Sequence, residues 1–238
     1  DGWIDLIITG EWMPIVIFKN VKGILKQQHN NPKMDEATGW WNCLQSGDFD
    51  SDGDMDYMAG NLGLNNKFNI TSKTPLTVYA KDFDNNGSIE SILAYYLNGQ
   101  EYTVANRDQI TSVLPSIKKK FDTYTRFADA GFNQIFTSED LRGATIHKVT
   151  HFASVYVENK GNGIFKIHQL PVQAQFSTIQ SMQVKDFNDD GNLDILIAGN
   201  NYNPDFMIGS YDASKGLLLA GNGKGELKAV PPKLSGLD

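Results

Sequence analysis

The sequence predicts an all-β fold, a β-propeller segment of about four to five four-stranded blades. Three observations predict it. An acidic loop of fixed spacing recurs along the chain. Short apolar strands enter and leave each copy, and glycine-rich hairpins recur between the copies. Strand, acidic loop, strand and glycine hairpin together describe a small antiparallel sheet, and radial repetition of such sheets makes a propeller.

The acidic loop reads D-x-[DN]-x-[DN]-G-x-x-[DE]. Its complete copies begin at Asp48, Asp82 and Asp186 and end at Asp56, Glu90 and Asp194. The segment Asp1-Gly2-Trp3-Ile4-Asp5 fits the second half of another copy, so the chain is expected to begin inside a repeat. Leu76, Val78 and Ala80 alternate into the second loop; Ile179 and Val184 flank the entry to the third. Apolar runs leave the loops at Tyr57-Met58-Ala59-Gly60, Ile92-Leu93-Ala94-Tyr95 and Ile195-Leu196-Ile197-Ala198-Gly199. Leu6-Ile7-Ile8 does the same after Asp5. Such short runs bounded by Gly or Asn read as buried strands. Hairpins are expected at Val21-Lys22-Gly23, at Lys160-Gly161-Asn162-Gly163 and at Gly221-Asn222-Gly223-Lys224-Gly225, where Gly and Asn supply positive φ.

The second and third loops are widely separated, and the gap holds a different pattern. From about Asn106 to Gly143 the apolar residues Ile110, Val113, Leu114, Ile117 and Phe121 fall at helical spacing, interrupted by Pro115. Ser138–Gly143 reads as a short capped helix. Residues 106–143 are therefore expected to be a helical insertion within a single segment covering residues 1–238. Ala144–Leu170 reads as a blade without an acidic loop.

Calcium takes about six to eight oxygen ligands. A nine-residue loop supplies them from side chains at its first, third, fifth and last positions and from the seventh backbone carbonyl, with glycine at the sixth for the turn. The expected ligands are Asp48, Asp50, Asp52 and Asp56 with the Asp54 carbonyl; Asp82, Asp84, Asn86 and Glu90 with the Ser88 carbonyl; and Asp186, Asn188, Asp190 and Asp194 with the Asn192 carbonyl. Asp1, Trp3 and Asp5 form a weak partial site. Clustered carboxylates repel one another without a cation. An EF-hand would place a bidentate Glu at its twelfth position, where these loops have Ala59, Leu93 and Ile197. The motif supplies most of its own ligands, which points to a structural rather than a catalytic metal.

Composition excludes other classes. The net charge of −7 argues against nucleic acid as a partner. No run of about 18 apolar residues predicts a membrane span. Cys43 stands alone, so it has no internal disulfide partner and reads as a buried thiol. No H-E-x-x-H, G-x-S-x-G, P-loop or dinucleotide fingerprint occurs. His147 and His151 read as surface or interblade histidines, and Lys118-Lys119-Lys120 as a solvated helix face. Trp12, Trp40, Trp41, Tyr95, Tyr96 and Tyr102 offer aromatic surface that would either pack between blades or stack on sugars or a protein partner.

The strand-D-F-D-x-D-G-x-x-D-strand unit with its trailing N-x-G hairpin resembles the FG-GAP, or VCBS, repeat of integrin α-chain propellers and many exported bacterial proteins. Gly10-Glu11-Trp12-Met13-Pro14, Gly39-Trp40-Trp41-Asn42, Gly60-Asn61-Leu62-Gly63 and Tyr79-Ala80-Lys81-Asp82-Phe83-Asp84 resemble large bacterial VCBS-repeat proteins of the group often carrying an ASPIC/UnbV module. The resemblance implies calcium in the blade loops, a parent ring of seven or eight blades and an extracellular, periplasmic or outer-surface location. The second loop departs from the pattern at Asn86 and Glu90. The expected function is a calcium-stabilised, non-catalytic binding or scaffold module of the cell envelope, with a protein or glycan ligand. The alternative is a carbohydrate-active enzyme of the propeller polysaccharide lyase type. A cut ring leaves open strand edges and bare apolar faces, so self-association is expected.

Overall fold

The computed structural model describes residues 2–29, 32–202 and 209–237. Strands dominate, and every strand pairing among the described residues is antiparallel. The chain divides into two compact units. One combines Asp1–Lys67 with His151–Asp238, and the other is Phe68–Thr150.

The first unit opens with β1 (Leu6–Ile8), β2 (Glu11–Met13), β3 (Val16–Val21) and β4 (Ile24–Gln27). β3 lies between β1 and β4, and the β3–β4 turn carries positive φ at Lys22 and Gly23. β2 departs from this sheet. After a one-turn helix α1 (Pro32–Asp35), which buries Met34, it pairs with β5 (Gly39–Trp40) across an irregular register. Trp12 sits in that irregularity with φ 62, a left-handed conformation unusual for a bulky residue. The bend places its ring edge-on to Trp40, with centroids 5.4 Å apart. β6 (Cys43–Gly47) and β7 (Asp56–Gly60) then form the hairpin around the first acidic loop.

The second unit follows. β8 (Leu76–Lys81) and β9 (Glu90–Leu97) flank the second acidic loop, and a two-residue turn at Asn98 and Gly99 leads to β10 (Gln100–Thr103). Both turn residues have positive φ, which a tight hairpin of this length needs. Four short helices come next: α2 (Arg107–Val113), α3 (Pro115–Lys120), α4 (Tyr124–Ala128) and α5 (Phe132–Ile135). The helical periodicity through 110–121 is broken at Pro115, which takes the first position of α3. β11 (Thr145–Val149) returns to pair with β8, giving the order β10-β9-β8-β11. Ile92 and Ala94 of β9 pack under a helical layer of Ile110, Leu114, Phe127 and Phe136.

Two local expectations change here. Ser138–Gly143 forms turns rather than a helix. Thr137 and Asp140 satisfy each other's amides through their side chains, and the chain closes at Gly143 with φ 79. The run Ala144–Leu170 is not one sheet of its own. Its first strand, β11, completes the second unit, and the rest rejoins the first unit.

That rejoining is made by β12 (Val155–Asn159) and β13 (Phe165–Gln169). β12 pairs with β7, matching Tyr57 to Val157, Met58 to Tyr156 and Ala59 to Val155. The resulting sheet, β13-β12-β7-β6, is a meander, and the sequence of the second unit falls between β7 and β12. A 3-10 turn at Val172–Gln175 leads to β14 (Ser181–Lys185), β15 (Asp194–Ala198), β16 (Leu217–Gly221) and β17 (Leu227–Ala229), an uninterrupted meander around the third acidic loop. A final turn of helix, α6 (Pro232–Ser235), ends at Gly236 in the left-handed conformation.

Side-chain alternation explains how the sheets of the first unit stack. Successive residues on a strand point to opposite faces. Met58 and Tyr156 therefore join Met182, Ile195, Ile197 and Leu219 of the β14–β17 sheet. Their neighbours Ala59, Val155 and Val157 join Ile15 and Trp41, with Ile7 and Ile17 of the β1–β3 sheet against them. The central sheet is thus apolar on both faces, which accounts for its unbroken hydrophobic strands.

The same unit also holds a buried polar cluster. Asn61, fully buried, accepts from the Trp40 and Leu62 amides and donates to the His151 and Ala153 carbonyls. Gln175 clasps Ser154, accepting from its amide and donating to its carbonyl, each at 2.9 Å. Gly63 has φ 88, and a Cβ there would lie 2.8 Å from the Gln175 carbonyl oxygen. This is the physical role of the Gly60-Asn61-Leu62-Gly63 run.

Candidate metal centres in the acidic loops

The three complete loops fold alike because the same backbone amides meet the same side chains. The first-position aspartate accepts from the fifth-position amide and from the sixth-position glycine. In the first loop Asp48 takes Asp52 at 3.2 Å and Gly53 at 3.1 Å. In the second Asp82 takes Asn86 at 3.0 Å and Gly87 at 2.9 Å. In the third Asp186 takes Asp190 at 3.2 Å and Gly191 at 2.8 Å. The fifth side chain accepts from the seventh amide in each: Asp52 from Asp54, Asn86 from Ser88, Asp190 from Asn192.

Backbone conformation repeats as well. The sixth-position glycines Gly53, Gly87 and Gly191 have φ of 94, 90 and 86. The fourth positions are also left-handed, with φ of 60 at Ser51, 58 at Asn85 and 57 at Asp189. The sequence pattern leaves that position free, yet the geometry asks for a residue that tolerates positive φ.

The last acid of each loop does a second job. Asp56 and Asp194 are fully buried. Asp56 Oδ2 accepts from the Phe49 amide at 3.2 Å and Asp194 Oδ2 from Phe187 at 3.0 Å, closing each loop on itself. The other oxygen reaches the third strand of the same sheet: Asp56 Oδ1 accepts from Asn159 at 2.7 Å, and Asp194 Oδ1 from Gly221 at 3.0 Å. Asp5 repeats this bond, accepting from Asn20 at 2.7 Å. Asn20 and Asn159 each also donate from their amide side chains to the carbonyl just before the acid, Ile4 and Met55. Their sequence context marks them only as turn residues; the paired appearance of N before each hairpin glycine was the available clue. Among the described residues, Glu90 in the second unit makes the loop-closing bond, from Phe83 at 2.8 Å, without the bond to the third strand.

Carboxylate oxygens converge in two of the loops. Asp48, Asp50 and Asp56 present oxygens within 4.8 Å of one another, as do Asp82, Asp84 and Glu90, and either group could hold a metal ion. Asp52 is outside the first group. In the third loop the third position is Asn188, whose amide donates to Asp190 Oδ2 at 3.0 Å. The Asn192 amide side chain holds the other oxygen of Asp190 at 2.9 Å. The backbone bond from Asn192 leads the effects that lower the Asp190 carboxyl from its usual value. Asp54, Ser88 and Asn192 occupy the seventh position, where the backbone carbonyl is the expected ligand. Of the partial site, Trp3 is exposed, Asp5 is fixed by Asn20, and Asp1 lies outside the described residues.

The first loop has a neighbour of its own sheet that the others lack. Lys160 Nζ lies 2.6 Å from Glu158 and 4.0 Å from Asp50 Oδ2. Among the described residues, it is the basic side chain that pairs with an acidic-loop carboxylate. Burial first, and the nearby charges of Asp56 and Asp52 next, raise the Asp50 carboxyl from its ordinary value. The hairpin after β16 also packs here: the Gly225 amide donates to the Phe49 carbonyl at 3.0 Å. A Cβ on Gly225 would stand 3.2 Å from the Tyr156 ring, so the approach needs glycine.

The remaining candidates are placed as follows. His147 is an exposed residue of β11. His151 stacks on Trp41 at 5.7 Å, and burial lowers its imidazole from 6.5. Trp41 is buried, Trp40 packs on Phe152, and Tyr95 packs on Phe68. Burial pushes the Cys43 thiol up to about 11. No helix among the described residues is long and apolar enough to cross a membrane. No protein-family model matches the chain, and no curated protein matches it.

Proposed function

We propose that this chain is a calcium-stabilised, non-catalytic binding or scaffold module of an exported protein, built as part of a β-propeller. The observation that carries the reading is the threefold recurrence of one loop geometry, with the oxygens of Asp48, Asp50 and Asp56 and of Asp82, Asp84 and Glu90 already convergent. The donors are oxygens throughout, with no His or Cys among them, which favours a hard cation over zinc or copper. Carboxylates held this close repel unless a cation neutralises them. The chain's net charge of −7 supplies no general compensation.

The propeller reading is supported by the shared wiring of the sheets in the first unit. Each runs strand, acidic loop, strand, strand, hairpin, strand, except where the chain begins, and neighbouring sheets pack face to face. Structural metal fits this wiring, because Asp56 and Asp194, the last acids of the two complete loops in this unit, fasten the second strand to the third. The exported location rests on the resemblance to FG-GAP repeats.

Thermal unfolding in EDTA and in millimolar calcium tests the reading. A ligand at a hundredfold excess over Kd stabilises by about 2.7 kcal/mol per site. The melts should differ by several degrees, with magnesium giving a smaller shift. Superimposable melts and no metal by elemental analysis would remove it.

A further inference from the structure

We propose that the cleft between the β9–β10 turn and α5 is a carbohydrate-binding site, taking a neutral sugar against the Tyr96 ring. Its hydroxyl groups would be held by Glu101 and by the amides of Gln100, Asn133 and Gln134. The proposal gives the binding-module reading a ligand class and a place, and it is independent of the acidic loops.

The cleft has a volume of about 590 Å³ and is lined by Tyr96, Gly99, Gln100, Glu101, Asn133 and Gln134. That volume falls among small-molecule sites. The lining has no Lys or Arg, so nothing in it neutralises a phosphate or carboxylate. It has no aliphatic side chain, so it offers little to a lipid. What remains is one aromatic ring, one carboxylate and three carboxamides. These are the groups that pair with neighbouring hydroxyls while the ring covers a sugar's C–H face.

Glu101 and Gln134 are held before any ligand arrives. Tyr96 and Glu101 are directly opposite in the β9–β10 register, so their side chains leave the same face. The Tyr79 hydroxyl, on the adjoining strand, donates to the two oxygens of Glu101 at 3.3 and 3.4 Å. Burial raises the Glu101 carboxyl, and the Tyr79 bond and the Lys148 charge oppose that rise. Tyr79 is itself stacked on Phe132 at 4.5 Å, which ties the carboxylate to the helical layer. Gln100 lies over Gly131, where any Cβ would meet its Nε2. Gln134 Oε1 accepts from the Gly131 amide at 2.8 Å, so its NH2 group is the part left to donate. Fixed partners lose little entropy on binding, which favours a weak polar ligand.

The test uses the full chain, 15N-labelled, with calcium present. The probes are a panel of neutral methyl glycosides and disaccharides of glucose, galactose, mannose, xylose and N-acetylglucosamine, with spermidine and inorganic phosphate as charged comparators. At least one sugar should saturably shift the amides of Gly99, Gln100, Asn133 and Gln134. Asn133→Ala, at an exposed position, and Glu101→Gln should each weaken that sugar by at least about fivefold, the loss of one useful hydrogen bond. Panel sugars that leave these amides unmoved would overturn the proposal, as would undiminished binding in both variants. Shifts with spermidine or phosphate alone would overturn it in favour of a charged ligand. The calcium melts on the same samples separate the two readings: intact calcium stabilisation with no sugar effect sinks this inference alone.

Discussion

Asp56 and Tyr156 stand a hundred residues apart in the chain, yet the Tyr156 hydroxyl donates to Asp56 Oδ2 at 2.8 Å inside the protein. The same carboxylate takes the Phe49 and Asn159 amides. A buried charge is tolerable only when its lone pairs are used, and Asp56 uses them on its own loop, on β12 and on a β12 side chain. The hydrogen bond and the negative neighbours also push the Tyr156 phenol up, after burial. The acid that closes the loop is thus a fastening of the sheet in its own right.

Tyr156→Phe should therefore destabilise the protein by about 1.5–3 kcal/mol, the range for a hydrogen bond to a charged group. Asp56→Ala should cost more, because it orphans the buried Phe49 amide, the half-buried Asn159 amide and the buried Tyr156 hydroxyl. Urea unfolding at neutral pH checks both. A Tyr156→Phe midpoint equal to wild type would mean that the hydroxyl contributes nothing to Asp56.

Lys160 should make the first loop a weaker calcium site than its carboxylates imply. Its ammonium stands 4.0 Å from Asp50 Oδ2 and competes with the cation's field. Lys160→Gln should tighten calcium at this loop by about three- to tenfold at low salt, with less effect at high salt. Lys160→Arg should stay near wild type, and Lys26→Gln, the same charge change on β4, should leave it unmoved. The Gly53, Gly87 and Gly191 amides each donate to a first-position aspartate, so their NMR shifts read the loops separately. Equal titration of Gly53 in wild type and Lys160→Gln would refute the competition.

His151 should make the protein acid-sensitive in a narrow window. Its imidazole is lowered from 6.5 by burial against Trp41, so the folded state holds fewer protons than the unfolded one. The resulting stability is complete above 6.5 and is lost as pH falls toward the lowered value. Urea midpoints between pH 7.5 and 5.5 should fall for wild type and fall less for His151→Gln. Parallel slopes would show that this imidazole is solvated.

Cys43 should resist alkylation until the protein opens. Its thiol is pushed up to about 11 by burial and donates toward the Ile179 carbonyl at 3.7 Å. Iodoacetamide at pH 8 should label native protein far more slowly than urea-unfolded protein. Comparable rates would place the thiol at the surface.

The turns of the acidic loops were legible from their nine-residue spacing, but the meeting of their side chains was not: Asp52 stands outside the first group, and Asn188 turns its amide onto Asp190 in the third loop. Strands beside them were legible from their apolar runs, and the β3–β4, β12–β13 and β16–β17 hairpins from their glycines. The misplaced segment was Ala144–Leu170. Its strands are ordinary in composition, and only pairing reveals that β11 belongs with β8 while β12 belongs with β7. Partner choice over such distances leaves no local mark. Ser138–Gly143 misled because a capping pair forms at Thr137 and Asp140 without enough following residues to build a helix. Lys160, Asn20 and Asn159 carry their roles through contacts with distant loops, so spacing within the motif could not find them. The cleft at Tyr96 was visible in sequence only as an aromatic residue.

The insertion of Phe68–Thr150 between β7 and β12 sets an order of assembly as the chain leaves the ribosome. The β6–β7 hairpin emerges early but has no neighbour to pair with until β12 is made. In the interval the edge of β7, with Met58 and Ala59, is open to other chains. The inserted unit can satisfy its own strands and close its own core first. Its completion then delivers β12 to a template that has been waiting for it, and Asp56 acquires Asn159 and Tyr156 only at that step. The slow event in folding should therefore be the return of the chain to a half-built sheet, not the formation of any single loop.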